Sequence, residues 1–190
     1  MSNRADDAYH WLRPDDDTQP LPPAELAAAD LSLGVPRASA PPGTPVFTAR
    51  EALHGSPPHW IGTRIPLVSE HFLKILKQAG VDNFQTIPVL LTDPSGRSWT
   101  SHAVFNVIGA VDAADPEASN GTLLAEDDPG PKRVSYLDLV VARAKARGHS
   151  IFRLADEPEK LLVNDHVMRM LRQNVPAEGW GFTPIEVALK

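Results

Sequence analysis

Val68-Ser69-Glu70-His71-Phe72-Leu73-Lys74-Ile75-Leu76-Lys77-Gln78 and Val163-Asn164-Asp165-His166-Val167-Met168-Arg169-Met170-Leu171-Arg172-Gln173 are two versions of one pattern, 95 positions apart. Four positions are identical and the other seven substitute like for like. Each stretch then runs into an aromatic and a proline, Phe84-Gln85-Thr86-Ile87-Pro88-Val89 and Trp180-Gly181-Phe182-Thr183-Pro184-Ile185. An internal repeat governs the fold assignment, so it is read first. In the first stretch Val68, Phe72, Ile75, Leu76 and Ala79 fall on one helical stripe. Ser69 stands at the N-cap, where its hydroxyl can accept a free first-turn N–H, and Val68 and Leu73 are spaced as a hydrophobic staple. Glu70 lies at the positive end of the helix dipole and Lys74 and Lys77 nearer the negative end. Gly80 suits the left-handed residue that ends a helix. The second stretch repeats the scheme with Asn164 as cap, Asp165 in the first turn and Val167, Met170 and Leu171 on the buried stripe. About three helical turns are marginal alone in water, so both helices are expected on a sheet.

Charged residues make up 22% and apolar residues 42% of the 190-residue chain, the balance of a soluble globular protein large enough for one domain. No run of 18 apolar residues occurs, so no membrane partner is expected. Met1-Ser2-Asn3-Arg4-Ala5-Asp6-Asp7 lacks the apolar core of a secretory signal. The absence of cysteine removes disulfides, thiol catalysis and thiolate metal sites, and fits a cytoplasmic location. A net charge of −6 disfavours a nucleic-acid partner, for which a basic stripe is expected.

Eleven of the nineteen prolines fall in the first 66 residues, and residues 13–45 read as extended or irregular chain with a short helix at Ala24–Asp30. Residues 1–50 are expected to form a Pro-rich N-terminal arm that wraps the domain, pinned by Trp11, Leu12, Leu31, Leu33, Val46 and Phe47. Residues 51–190 are expected to form a single domain with a pseudo-repeat at about 60–92 and 155–187. Ile87, Val89 and Leu91 alternate on one strand, which Pro88 marks as edge or bulged. Asp93-Pro94-Ser95-Gly96 signals a turn, and a return strand from Ser98 to Val111 completes a hairpin. A loop region over Asp112–Asp128, broken at Asn120-Gly121, precedes a strand at Val134–Val141 and a polar basic stretch, Arg143 to Arg147. Ile151–Leu154 and Leu161–Val163 are short strands, and Trp180–Val187 closes the chain. The expected class is α+β: a mostly antiparallel twisted sheet with two equivalent amphipathic helices packed on it.

The residues that carry chemistry form no recognisable constellation. No phosphate loop, dinucleotide fingerprint or nucleophile elbow is present. His54 and His59 have the wrong spacing for one helix face, and His71 and His166 converge only if the two units pack about a pseudo-twofold axis. His102 and His149 lie beside Ser101 and Ser150 without further support. No catalytic residue, cofactor or metal site is expected. Asp15-Asp16-Asp17 and Glu126-Asp127-Asp128 lack the apolar setting that raises a carboxyl pKa, which leaves solvation or attraction of a basic partner. Arg143, Lys145 and Arg147 suit a solvated face. Arg153, between Phe152 and Leu154, is expected in a structural ion pair.

The ordered series Val68-Ser69-Glu70, Gly80-Val81-Asp82-Asn83-Phe84-Gln85-Thr86-Ile87-Pro88-Val89, Phe105-Asn106-Val107-Ile108-Gly109-Ala110-Val111-Asp112, Ile151-Phe152-Arg153-Leu154, Val163-Asn164-Asp165 and Gly179-Trp180-Gly181-Phe182 resembles a family of immunity proteins from bacterial polymorphic toxin systems, known especially from myxobacteria and other Gram-negative bacteria. It covers roughly residues 60–187. The resemblance implies a non-enzymatic cytoplasmic protein, encoded beside a toxin, that binds the toxin's effector domain and blocks it. Its setting would be bacterial competition, type VI secretion included. Immunity partners of nucleases often carry an acidic face that competes for a basic groove, and opposed potentials speed association. The expected toxin-binding surface is therefore Asp112, Asp115, Glu117, Glu126, Asp127 and Asp128. Two readings from other classes stand beside it, an effector-binding adaptor or chaperone of a secretion system and a small hydrolase.

Overall fold

The computed structural model describes residues 8–15, 20–27, 34–39, 41–62, 64–124 and 133–190. In chain order the first half holds β1 (Tyr9–Pro14), α1 (Ala24–Ala27), β2 (Val46–Thr48), β3 (Trp60–Ile61), β4 (Leu67–Ser69), α2 (Glu70–Gln78), β5 (Phe84–Thr92) and β6 (Ser98–Val107). Then come β7 (Ala110–Val111), β8 (Gly121–Leu124), β9 (Arg133–Tyr136), β10 (Val140–Val141) and α3 (Arg143–Ala146). Finally β11 (Ile151–Leu154), β12 (Leu161–Asn164), α4 (Asp165–Asn174) and β13 (Phe182–Leu189) follow. The architecture is α+β. A six-stranded sheet has the order β10-β13-β1-β12-β11-β7, a five-stranded sheet the order β2-β5-β6-β4-β3, and β8 pairs with β9 alone. The sheets are mixed: β10–β13, β11–β7 and β2–β5 are parallel and the other pairings antiparallel.

Both long helices begin as their caps dictate. Ser69 Oγ accepts the Phe72 N–H at 3.1 Å, and Asn164 Oδ1 accepts the Val167 N–H at 3.0 Å, each contact supporting its helix by about 1 kcal/mol. Gly80, at φ 78°, follows α2 and donates its N–H to Lys77 O. The helices share one setting. β4 and β5 both pair with β6, which splits the unit β4-α2-β5; β12 and β13 both pair with β1, which splits β12-α4-β13. Phe72, Ile75 and Leu76 of α2 and Val167, Met168 and Leu171 of α4 enter one core shared by the two larger sheets. Met168, not Met170, is the fully buried methionine, because Met170 packs against the rim of that core.

Four aromatic rings hold this core together across layers. Trp60 meets Phe72, Phe105 and Phe182 edge-on at centroid distances of 5.8, 5.9 and 6.0 Å, a geometry worth about 0.5–1.5 kcal/mol per pair beyond burial. β13 comes this close to Trp60 because residue 181 is glycine. Its φ is 77°, and a Cβ there would lie 2.0 Å from Trp60 O. A second core cluster joins Val141, Phe152, Leu162 and Val187 of the six-stranded sheet to Tyr136, Ala113 and Ala146, and a third joins Phe47, Leu67 and Val89 of the five-stranded sheet to Leu26 and Ile65.

Several expectations are corrected. Tyr9–Pro14 is no arm: β1 is an inner strand between β12 and β13. Leu12 enters the shared core, while Tyr9 enters the core on the other face. The remainder of the expected arm supplies Leu26, within α1, and Phe47, both fully buried; Leu31 and Leu33 lie outside the described residues, as do residues 28–30 of the expected helix. The return strand ends at Val107, where Gly109 (φ 97°) turns the chain and Ala110–Val111 joins the other sheet beside β11. The strand expected over Val134–Val141 is two strands, β9 and β10, and the polar basic stretch forms the short helix α3 at Arg143–Ala146. The Arg153 guanidinium is buried and donates to two carbonyls, Val107 O at 3.3 Å and Pro158 O at 2.7 Å.

Backbone direction explains both strand prolines. Leu90 donates its N–H to Pro45 on the β2 side, so Phe84, Thr86 and Pro88 turn their backbones to that same side, past the end of β2. The Asp15 N–H donates to Gly181 O, and with the β1–β13 register this turns Phe182, Pro184 and Glu186 away from β1. Pro88 and Pro184 thus remove a donor only from the outer sides of their strands.

Gly181→Ala is expected to abolish cooperative folding, costing more than about 4 kcal/mol, because its methyl would overlap a backbone carbonyl. Gly80→Ala has open space around the added methyl and only the left-handed φ to oppose it, so about 1–2 kcal/mol is expected. Urea-denaturation midpoints of the two variants test the contrast.

Candidate functional site

Of the six expected acidic residues, Asp112, Asp115 and Glu117 lie in one loop between β7 and β8, and Glu126, Asp127 and Asp128 lie outside the described residues. The three differ in environment. Asp112 is exposed and meets Lys145 Nζ at 2.9 Å; a surface pair of this kind contributes little to stability. Asp115 is turned inward. Its carboxylate takes Lys190 Nζ at 2.9 Å and accepts the Ala118 N–H at 3.1 Å. The lysine first, then that N–H, hold the Asp115 carboxyl below the usual carboxylate range. Glu117 points to solvent.

This loop feeds a small hairpin. Ser119 Oγ bonds to Asp115 O and accepts the Val140 N–H, and Asn120 takes a left-handed φ of 46°, a conformation that asparagine tolerates better than most residues. Gly121 then lies so near β9 that a Cβ would come within 2.7 Å of a Val134 methyl and 2.8 Å of the Tyr136 ring. The hairpin is fastened to the loop between β11 and β12. Tyr136 donates its phenol O–H to Asp156 and its N–H to Glu157 Oε2, and Val134 donates its N–H to Asp156 O. Burial, then the Asp156 hydrogen bond, push the Tyr136 phenol above its ordinary value. Burial raises the Glu157 carboxyl, opposed by Lys160 at 3.0 Å. Lys160 Nζ also sits 3.9 Å over the Trp11 ring, a cation–π contact. Beside this network runs a groove of about 350 Å³ lined by Trp11, Arg13, Leu139, Lys160 and Ile185. At its rim Leu137 is 87% exposed.

The histidines do other work. His59 Nδ1 lies 2.6 Å from Ser69 Oγ, the cap of α2, and the His59 and His71 rings lie 5.4 Å apart. His71 donates to Asn174 O at the C-terminal end of α4, the opposite end from His166, and His102 Nε2 donates to Pro58 O at 2.9 Å. They fasten α2, α4 and the β3 loop together. Ser69 and His59 are both engaged in this knot, with the Ser69 hydroxyl buried as a cap. Among the described residues no group of three or more His, Asp or Glu is placed to hold a metal ion, and no helix is long and apolar enough to cross a membrane.

The profile of the Immunity protein family (Imm11) matches residues 3–187, which takes in every strand except the last two residues of β13. The chain belongs to this family. No curated protein matches it.

Three features of this Imm11 chain escaped sequence reasoning. Lys160 ends the polar run Glu157-Pro158-Glu159, where nothing signals burial. Tyr136 ends β9 and Leu137 follows it directly, yet the Tyr136 ring is buried and the Leu137 side chain is almost fully exposed. His59 lies in a Pro-rich loop, and only its proximity to the Ser69 cap reveals its role.

The histidine knot makes the fold of the Imm11 chain acid-sensitive. Burial, followed by repulsion from His71 and His102, lowers the His59 pKa, and burial lowers that of His102 against the opposing Pro58 hydrogen bond and the Glu70 charge. Below their ordinary pKa of 6.5 the unfolded chain therefore binds more protons than the folded one. Stability is full above that pH and falls as pH drops through it. The urea midpoint of the wild-type protein is expected to decline from pH 7.5 to pH 5, and that of His59→Gln/His102→Asn to decline less steeply. Parallel slopes for the two proteins would remove the histidines as the cause.

Proposed function

We propose that this chain binds the effector domain of a cognate toxin encoded beside it and neutralises that domain in the cytoplasm by protein–protein contact, without catalysis. The observation that carries the reading is the family match across residues 3–187, since immunity is what the family's description names. The electrostatics support it. Asp112 and Glu117 are open to solvent on one loop, and the sequence places Glu126-Asp127-Asp128 a few residues further on. In our reading these acids, with Asp115, form the surface that meets a basic face of the toxin. Asp115 contributes by shaping the loop, because its carboxylate is already engaged by Lys190 and Ala118. Opposed potentials then accelerate encounter and discriminate among partners.

The test is growth of a bacterial host that expresses the neighbouring gene, with and without this protein. Killing by the neighbour alone, and growth restored together with a stable co-purifying complex, is the expected result. Killing that persists despite co-expression would sink the immunity reading. In the purified complex, Asp112→Lys/Glu117→Lys is expected to slow association about tenfold at low salt, with a smaller effect at high salt. An unchanged association rate would remove these acids from the surface.

A further inference from the structure

Two of the sheets carry a proline on a strand side left partly unpaired, Pro88 on β5 and Pro184 on β13, each facing outward. The third sheet has no such guard. β8 reads Gly121-Thr122-Leu123-Leu124, with neither proline nor charge, and all four residues are exposed, Leu123 at 37% and Leu124 at 48%. Among the described residues β8 pairs with β9 alone.

The direction of its free hydrogen-bonding groups follows from the partners of β9. Val134 and Tyr136 send their N–H groups away from β8, to Asp156 O and Glu157 Oε2. In an antiparallel ladder opposed residues bond to each other through both groups or through neither. Leu123, opposite Val134, and Gly121, opposite Tyr136, therefore turn their backbones to the open side. Thr122 and Leu124 are the residues that bond to β9. An exposed, apolar, uncharged strand edge invites another strand, and its partner strand is held rigidly by the Tyr136–Asp156 and Val134–Asp156 contacts.

We propose that the open edge of β8 is the docking site for an extended segment of the cognate toxin, which adds a third strand to the β8–β9 hairpin through the backbones of Gly121 and Leu123. The acidic sequence on either side of β8 defines the segment's chemistry. Glu117 lies just before the strand, and Glu126, Asp127 and Asp128 follow it in sequence, so the added strand carries basic residues toward its ends. The same charges disfavour a second copy of this chain, because antiparallel β8–β8 pairing would bring acidic flank against acidic flank. The inference rests on the immunity reading and specifies its contact.

The experiment uses the full chain and a catalytically inactivated form of the toxin domain encoded beside it. Leu123→Pro deletes an outward N–H and leaves the bonds between β8 and β9 in place; Leu123→Thr changes the side chain and keeps that donor. With thermal unfolding of both variants matching wild type, Leu123→Pro is expected to weaken toxin binding at least about tenfold and Leu123→Thr much less. Hydrogen exchange supplies a readout that does not depend on a variant folding. In the wild-type complex the amides of Gly121 and Leu123 become protected, while those of Thr122 and Leu124 change little. Tight wild-type binding with no new protection at Gly121 and Leu123, or with unaltered affinity in Leu123→Pro, would overturn the proposal and leave the immunity reading intact. Absence of wild-type binding would instead overturn the immunity reading on which the proposal rests. A concentration-dependent dimer of the free chain that Leu123→Pro dissolves would assign the edge to a second copy and reject the toxin segment.

Discussion

The contact between Trp60 and the Gly181-Phe182 backbone is the point at which the two larger sheets become one structure. Trp60 belongs to the five-stranded sheet and Phe182 to the six-stranded one, and Phe72 of α2 and Phe105 of β6 complete the ring cluster. Edge-to-face packing fixes orientation as well as distance, so this cluster sets how the sheets face each other. The surrounding backbone reinforces it. His59 donates its N–H to Gly179 O at 2.6 Å, Asp15 donates to Gly181 O, and Ser69 donates to His59 O. One short loop therefore reads the positions of β1, β4 and β13 together, and the helix caps and the histidine knot are built outward from it.

What was legible in the sequence is what depends on neighbours in the chain. Ser69, Asn164 and Gly80 mark helix ends because capping is a first-turn affair, and the amphipathic stripe follows from a period of 3.6 residues. The Asp93 turn is of the same kind. Its carboxylate accepts N–H groups from Ser95, Arg97 and Leu53 and the Ser95 hydroxyl, and these contacts hold its pKa at about 2 against the opposing effect of burial. Two of these four donors lie within the turn's own residues. The place of β1 was not legible, since Tyr9–Pro14 gains its inner position only from strands more than 140 residues away. Its two faces are both apolar, so it lacks the alternation that marks a half-exposed strand.

The candidate site divides along the same line. That Asp112, Asp115 and Glu117 share a loop could be read from their spacing, but the pairing of Asp115 with Lys190 could not, because the lysine is distant in sequence. The histidines of the knot, His59, His71 and His102, are scattered over more than 40 positions and gather only when α2 lies on its sheet. Prolines were more informative than their reputation as strand breakers allows. Pro88 was read as the mark of an edge or bulged strand; β5 lies inside its sheet, and its register with β6 shifts between Val89 and Leu91.

β1 has a temporal consequence. It sits between β12 and β13, with Tyr9 opposite both Asn164 and Val187, so a strand made early is completed by two that are made much later. Closing a loop of nearly the whole chain is entropically costly, and contacts this distant in sequence slow folding. Until β12 and β13 have been made, Leu12 and Tyr9 lack the strands that flank them in the sheet. The six-stranded sheet therefore closes around β1 only after β12 and β13 have both been made.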